Sequence, residues 1–328
     1  MSKPPATAKT KSPDRATATA PPPAPPSSTA PAPTSTSLAE PSSNGHKNVP
    51  GQNHPAYSDL SKPLGEKPDT QSQSTWDKEA VIELRNVHKA FGQFKVLDGV
   101  TCRIPKGEIS VLMGPSGTGK SVTLRHIVGL LPPDSGDIFV ADRDVPLLNE
   151  DELLELRRGI GMLFQDGALF SSMSLYDNVA FPLRQHTKKG EGEIREIVMD
   201  RLTEVGMAGA EKRMPNELSG GMRKRAGFAR ALVMEPKILL FDEPDSGLDP
   251  VRTTLLCDLI REISAKYNAT SIVVSHDVGA VRRFADNIGI LYKGKMRHFG
   301  NKKEIEESDD EFVHQFFNAS GEGPLGMD

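Results

Sequence analysis

Apolar residues between about positions 80 and 300 fall into two patterns: short unbroken runs, and stripes at helical spacing. The runs are ISVLM (109–113), GIGMLF (159–164), KILLF (237–241), SIVVS (271–275) and NIGILY (287–292). Runs this short and this apolar suit strands buried on both faces, as in a parallel sheet covered by helices. VIELRNVHKAF and the segment from Lys95 to Ile104 read as two further strands joined by a turn at Gly92-Gln93, and GDIFVAD (136–142) as another. Helical stripes lie between them. One runs from Lys120 to Leu130 and is stopped by Pro132-Pro133; EDELLELRR, Val251 to about Lys266, and VGAVRRFA are others. EIREIVMDRLTEV puts Ile194, Ile197, Val198, Leu202 and Val205 on one face. Residues from about 172 to 235 are mostly helical in pattern. The alternation predicts an α/β fold with a parallel sheet and a helical insertion between its halves. No internal repeat or heptad array interrupts it.

Composition changes sharply near the start of this region. Fifteen of the 26 prolines lie in the first 68 residues, mixed with Ala, Ser and Thr. Such a segment has too little apolar surface to offset the entropy of folding. Residues 1–78 are therefore expected to be disordered, serving as a spacer or a docking ligand, two readings that stay open. Lys3 and Lys9 are followed by no apolar stretch, so no secretory signal is expected. No run approaches the length of a membrane span. The formal net charge of −4 argues against nucleic acid as a partner. Cys102 and Cys257 form no CxxC, which fits a reducing cytoplasm and suggests no zinc site.

GPSGTGKS (114–121), between a strand and a helix, fits a phosphate-binding P-loop. Its residues are Gly114, Pro115, Ser116, Gly117, Thr118, Gly119, Lys120 and Ser121, with Val122 next. Backbone N–H groups of 117–121 would wrap the β-phosphate, Lys120 would reach the β- and γ-phosphates, and the Ser121 hydroxyl would bind Mg²⁺. KILLFDEP delivers Asp242 and Glu243 at the end of a buried strand, where open parallel sheets bind ligands. Asp242 is the expected Mg²⁺ carboxylate; Glu243 is the expected group that orients and polarises the attacking water. Gln165, after another strand, is placed to carry its amide to the metal and the water. His276, after SIVVS, is either a solvated histidine or a contact to the γ-phosphate. Phe91 either packs in the core or stacks on adenine. In NELSGGMRKRAGFARAL, Ser219, Gly220 and Gly221 precede a helix, which is the equipment of an N-cap or of an anion site.

In order, the chain offers GPSGTGKS, Gln165, LSGGM, LLFDEP, SGLD (246–249) and His276. This set resembles the nucleotide-binding subunit of ABC transporters over residues 81 to about 300. The resemblance implies an ABC ATPase core: a RecA-like parallel-sheet subdomain, an antiparallel β subdomain and a helical signature subdomain. It implies ATP and Mg²⁺, and a head-to-tail dimer of two copies in which Ser219, Gly220, Gly221 and Met222 of one copy close on ATP held by the other. Asp249 would then lie at the dimer seam. MGPSGTGKSVTLRHIVGLLPPDSG, GMLFQDGALFSSMSLYDNVAFPLR, the LSGGM signature and the tail EFVHQFFNASGEGPLG are similar to the ATPases of Mla/Mce-type lipid transporters. That implies a multi-span permease, an MCE-domain lipid-binding protein, a STAS-domain partner and a place on the cytoplasmic face of a bacterial inner membrane. The work implied is phospholipid movement across the envelope; an importer ATPase for another solute, or a non-transport ABC ATPase, is the alternative.

The chain departs from the family pattern at three positions. Val122 stands where a second Ser/Thr is common, Met222 where Gln is common, and Asp245 where Thr is frequent. Asp245 either repels nucleotide slightly or holds a neighbouring Arg. The expected domains are 1–78 disordered, 79–303 the ATPase, and 304–328 a tail. That tail sets Phe312, Val313, Phe316 and Phe317 on one helical face, either packed on its own domain or clasping the partner.

Overall fold

Strand β3 (Ile109–Met113) is buried along its whole length, and so are β7 (Ile238–Asp242) and β8 (Thr270–Val274). The computed structural model that places them describes residues 67–318, 320 and 323–324. With β6 (Ile160–Leu163), β9 (Asn287–Tyr292) and β10 (Lys295–Asn301) these strands form one sheet in the order β10-β9-β3-β8-β7-β6. The five strands from β9 to β6 run parallel, and β10 is antiparallel to β9. Register is set by the apolar alternation: Val111 pairs with Val273, and Leu239 with Ser271.

Successive residues of a strand point to opposite faces. Leu112, Leu240, Ile272 and Val274 cluster with Leu124 and Ile127 of α2 (Lys120–Ile127). The same cluster takes Ile82, Leu84 and Val100 from a second, antiparallel sheet. That sheet holds β1 (Ala80–Phe91), β2 (Phe94–Pro105), β4 (Ser135–Val140) and β5 (Arg143–Asp144), in the order β2-β1-β4-β5. Helix α3 (Glu150–Arg158), started by a capping box at Asn149, adds Leu153 and Leu156.

Val111, Met113, Leu239, Phe241 and Val273 face the other way. They are covered by α6 (Gly220–Leu232), α7 (Pro250–Tyr267) and α8 (Val278–Phe284), with α4 (Leu175–His186) and α5 (Glu191–Glu204) packed behind α6. Phe228 of α6 meets Phe241 of β7 edge-on, ring centroids 5.0 Å apart. Such a pair contributes roughly 0.5–1.5 kcal/mol beyond the area it buries.

Three expectations are corrected. The helix after the P-loop ends at Ile127 rather than Leu130, because Gly129 has φ +64 and a Cβ there would lie 2.5 Å from Leu153. The segment up to 78 is not without structure throughout. Residues 73–76 form a short helix, α1 (Gln73–Trp76), and the chain before it is held between β10 and β2. The backbone of Thr70 and Ser72 bonds to Phe299 of β10. The buried Gln71 amide, acting like a strand's peptide group, donates to the Arg103 carbonyl and accepts from the Arg103 N–H of β2, each at 3.0 Å. The remainder of the proline-rich segment, residues 1–66, lies outside the described residues. Third, the sheet does not end at NIGILY: it gains β10, whose KMRHFGN alternates weakly and carries two cations.

After α9 (Lys302–Glu306), helix α10 (Glu311–Asn318) packs on its own domain. Phe312, Val313 and Phe317 are buried in the core shared with Tyr292, whose ring lies 4.7 Å from that of Phe312. Of the expected face, Phe316 alone is left half-buried.

Candidate nucleotide site

Four neighbouring parallel strands end at one edge of the larger sheet, and each hands over to a loop that carries polar groups. β3 leads into the P-loop, β8 into His276, β7 into Asp242 and Glu243, and β6 into Gln165. Topology alone therefore brings together residues separated by more than a hundred positions.

The P-loop is wedged tightly. Gly114 has φ +143, and a Cβ there would sit 2.1 Å from the Leu291 carbonyl. Gly119 has φ +101 and approaches Val96 and Leu97 of β2 so closely that a Cβ would meet them at 2.8 and 2.6 Å. Only glycine fits either place. Gly119 is also the N-cap of α2 and brings no side-chain cap, so the first N–H groups of the helix are free for an anion. Ser116 and Gly117 are exposed at the loop's tip, while Thr118 is buried with its hydroxyl donating to the Pro115 carbonyl at 2.9 Å. Lys120 is buried, and its Nζ donates to the carbonyls of Gly114 and Pro115, each at 2.8 Å. Burial lowers its pKa, partly offset by the charges of Glu243 and Asp242.

Ser121 Oγ donates to Asp242 Oδ1 at 2.6 Å. A hydroxyl and a nearly buried carboxylate meeting above the P-loop are hard oxygen donors, the set that suits Mg²⁺ when phosphates complete the shell. No group of three or more His, Cys, Asp or Glu among the described residues could hold a metal without such a partner.

Glu243 follows directly and has φ +48, a left-handed conformation that is unusual for a non-glycine residue. Its N–H is held by the Val274 carbonyl at 3.0 Å. Gln165 is exposed, and its Nε2 reaches Ser246 Oγ at 3.4 Å, so the β6 and β7 loops touch. His276 is exposed at the end of β8, next to the buried Ser275. Phe91 is not core: it is 48% exposed at the tip of the β1–β2 hairpin, the hairpin whose Val96 and Leu97 abut Gly119. Val122 is half-buried and packs against the apolar cluster beneath α2.

The structure places Ser219 as the N-cap of α6, its hydroxyl accepting from the Met222 N–H at 3.3 Å. Ser219 and Gly220 are exposed, and Met222 packs partly on the core. These residues are not brought to the P-loop of their own chain by any contact. Asp249 caps α7, accepting from the N–H groups of Val251 and Arg252 at 3.1 and 3.0 Å. The bond from Arg252 foremost holds its carboxyl below the usual range.

Several residues that sequence reasoning misplaced or passed over hold the site together. Asp245 holds no arginine; it is buried and accepts from Ser275 Oγ at 2.7 Å. Arg230 of α6 donates to the carbonyls of Ala168 and Gly167 at 2.8 and 3.2 Å, pinning the loop after Gln165. Lys224, also on α6, is buried and bonds the main chain of Glu243 and Ser246. In the sequence MRKRAGFAR these cations read as a solvated helix face. The one available signal was spacing: position 224 lies three, four and seven residues before Gly227, Phe228 and Ala231, on one side of the helix, and position 230 lies three after Gly227.

The ABC transporter domain matches residues 97–246. A probable ribonucleotide transport ATP-binding protein, mkl, of Mycobacterium leprae is 53% identical over 246 residues, 75% of this chain and 71% of that one. The intermembrane phospholipid transport system ATP-binding protein MlaF of Haemophilus influenzae is 42% identical over 245 residues, 75% of this chain and 93% of that one. Among solved structures, the ATP-binding cassette MJ0796, in a dimeric post-hydrolysis state bound to ADP and Pi, superposes with a TM-score of 0.63 at 31% identity, covering 67% of this chain and 98% of that one.

Proposed function

This chain belongs to the ABC transporter family and is its ATP-hydrolysing subunit, and from that premise we propose that it drives a phospholipid transporter through an ATP site built on one edge of the larger sheet. The observation that carries the site reading is the convergence of four parallel strand ends on Ser121, Asp242, Glu243, Gln165 and His276. The uncapped start of α2 receives the phosphates, and Lys120 exchanges its two loop carbonyls for phosphate oxygens. Ser121 and Asp242, with Gln165 nearby, would hold Mg²⁺, which would supply neutralisation of the charge developing on the phosphates. Glu243 orients and polarises the attacking water. His276 contacts the γ-phosphate, and Phe91 offers its exposed face to adenine.

Ser219, Gly220, Gly221 and Met222 act on the ATP of a second copy, arranged head to tail, with Asp249 at the seam. The exposure of Ser219 and Gly220 and the dimeric state of a similar cassette support this. The chain docks under a multi-span permease at the cytoplasmic face of the inner membrane, with an MCE-domain lipid-binding protein and a STAS-domain protein as further partners. Among the described residues no helix is long and apolar enough to cross a membrane.

Similarity to MlaF supports phospholipid as the cargo. A second reading, a nucleotide cargo, is favoured by the name of the mkl relative at 53% identity. Capture of the tagged protein from detergent-solubilised host membranes, read by mass spectrometry, separates them. A permease recovered with an MCE-domain protein, and ATPase activity stimulated by phospholipid, is the expected result. A permease recovered with a soluble solute-binding protein, with turnover stimulated by ribonucleotide cargo, would replace the lipid reading and leave the ATPase untouched.

A further inference from the structure

A buried ammonium sits directly beneath the turn that carries Glu243. Lys224, in the second turn of α6, is 5% exposed. Its Nζ donates to the Glu243 carbonyl at 3.2 Å, to Ser246 Oγ at 3.3 Å, and to the Ser246 carbonyl. One side chain thus clamps both ends of the 243–246 turn. Burial disfavours its charge, and Asp245 foremost, then Asp166 and Glu243, favour it. Asp245 is itself buried, tied through Oδ2 to Ser275, the residue before His276, while its Oδ1 has no hydrogen-bond partner among the described residues. Ser246 Oγ in turn receives Gln165 Nε2. The Lys224 ammonium is therefore central to a network reaching the three loops that end in Glu243, His276 and Gln165.

We propose that Lys224 is a positioning residue for hydrolysis, holding the left-handed backbone of Glu243 in place and tying it to the helix that begins with Ser219, Gly220 and Gly221. This rests on the reading that Glu243 directs the attacking water. The physical reason is strain. Glu243 keeps φ +48, and a non-glycine residue stays there only when its surroundings over-determine it. Two clamped carbonyls supply that constraint, and a charge-assisted bond to a buried carbonyl is costly to leave unmade. The arrangement also gives the signature helix a mechanical grip on its own chain's water-orienting carboxylate. Movement of α6 when Ser219 engages the partner's ATP is transmitted to Glu243 through one side chain. Asp245 is the foremost of the charges that favour the ammonium against its burial.

The test uses the full-length chain recovered with its membrane partners. K224M should lower kcat by at least about tenfold while ATP affinity, measured directly with a fluorescent nucleotide, stays within about threefold. K224R, which keeps the charge, should recover kcat to within about threefold of wild type. K224M with kcat within about threefold overturns the proposal. So does joint loss of ATP affinity and kcat that arginine does not recover, which marks a merely structural role. If K224M fails to fold, K224Q is read by the same criteria, and failure of both counts against the proposal. E243Q measured alongside separates the two claims. An active E243Q defeats the reading of Glu243; an inactive E243Q beside an active K224M defeats only the role of Lys224.

Discussion

Asp144 carries a cost that the sequence did not announce. It ends the two-residue strand β5, is nearly buried, and neither of its carboxylate oxygens has a hydrogen-bond partner among the described residues. Burial, and then the charge of Asp137, push its pKa up from 3.8 to about 6, against a small opposing effect of Arg85. The folded state therefore holds this proton more tightly than the unfolded chain does. The stability tied to it is complete below about pH 4 and is lost as pH rises through about 6. Asp144→Asn removes the titration. Between pH 4 and pH 8 the wild type should lose roughly 1–3 kcal/mol more than the variant, read as the pH dependence of the guanidinium unfolding midpoint. Parallel curves for the two proteins would refute it. Residues of this kind were illegible in the sequence because burial of a polar group depends on what folds over it. Ser121, Lys120 and Asp242 were legible because the P-loop pattern and a buried strand fix their neighbours locally. Lys224 and Arg230 were not, since their partners are main-chain carbonyls that no side-chain pattern encodes.

At the level of elements, the buried strands could be read to within a residue or two, because four or five apolar residues in a row admit few other placements. The strap of residues 67–76 could not, because its partners lie more than thirty residues away, nor could β10, whose apolar alternation is too weak to mark it although it is a hairpin with β9. Gln71 imitates a peptide group for β2, and Phe299 is fixed by β9 and by the strap. The tail shows the same dependence. Asp310 starts α10 by accepting from the Phe312 N–H at 2.7 Å, and its other oxygen meets His298 Nε2 of β10 at 2.8 Å. Burial alone would raise its pKa, but the His298 bond and the backbone N–H groups hold it below the usual range. The sign follows: docking by this carboxylate is present above the ordinary Asp pKa and is lost as pH falls through the lowered value. Asp310→Asn weakens a bond worth about 1–2 kcal/mol. Hydrogen exchange across residues 311–318 should then speed up by about tenfold at neutral pH, with the amides of β3 unchanged. Unaltered exchange in α10 would mean that the apolar face, through Phe312, Val313 and Phe317, holds the helix without the latch.

For the whole molecule, the decisive question is whether the parts on one chain make one site or two half-sites. Ser219 and Gly220 are exposed, and Ser219 spends its hydroxyl on its own helix, with no contact to the P-loop of the same chain. The P-loop, Asp242, Glu243, Gln165 and His276 share one sheet edge, so on the proposed reading a single chain would supply the groups for binding and for water but not the closing signature. Glu243→Gln removes the carboxylate proposed to orient the attacking water while keeping its size. It should hold ATP and accumulate an ATP-dependent dimer, with steady-state turnover reduced by at least about a hundredfold. Adding Ser219→Arg to that background places a bulky cation where the second copy's nucleotide would approach. It also removes a helix cap, at a cost of about 1 kcal/mol, which leaves the fold intact. The double variant should bind ATP with affinity within a few fold of Glu243→Gln, because Ser219 is no part of its own P-loop. It should remain a monomer at all ATP concentrations in size-exclusion chromatography with light scattering. A double variant that dimerises with ATP would remove the signature from the interface. One that loses ATP binding as a monomer would move Ser219 into its own chain's site, and the head-to-tail arrangement would fall with it.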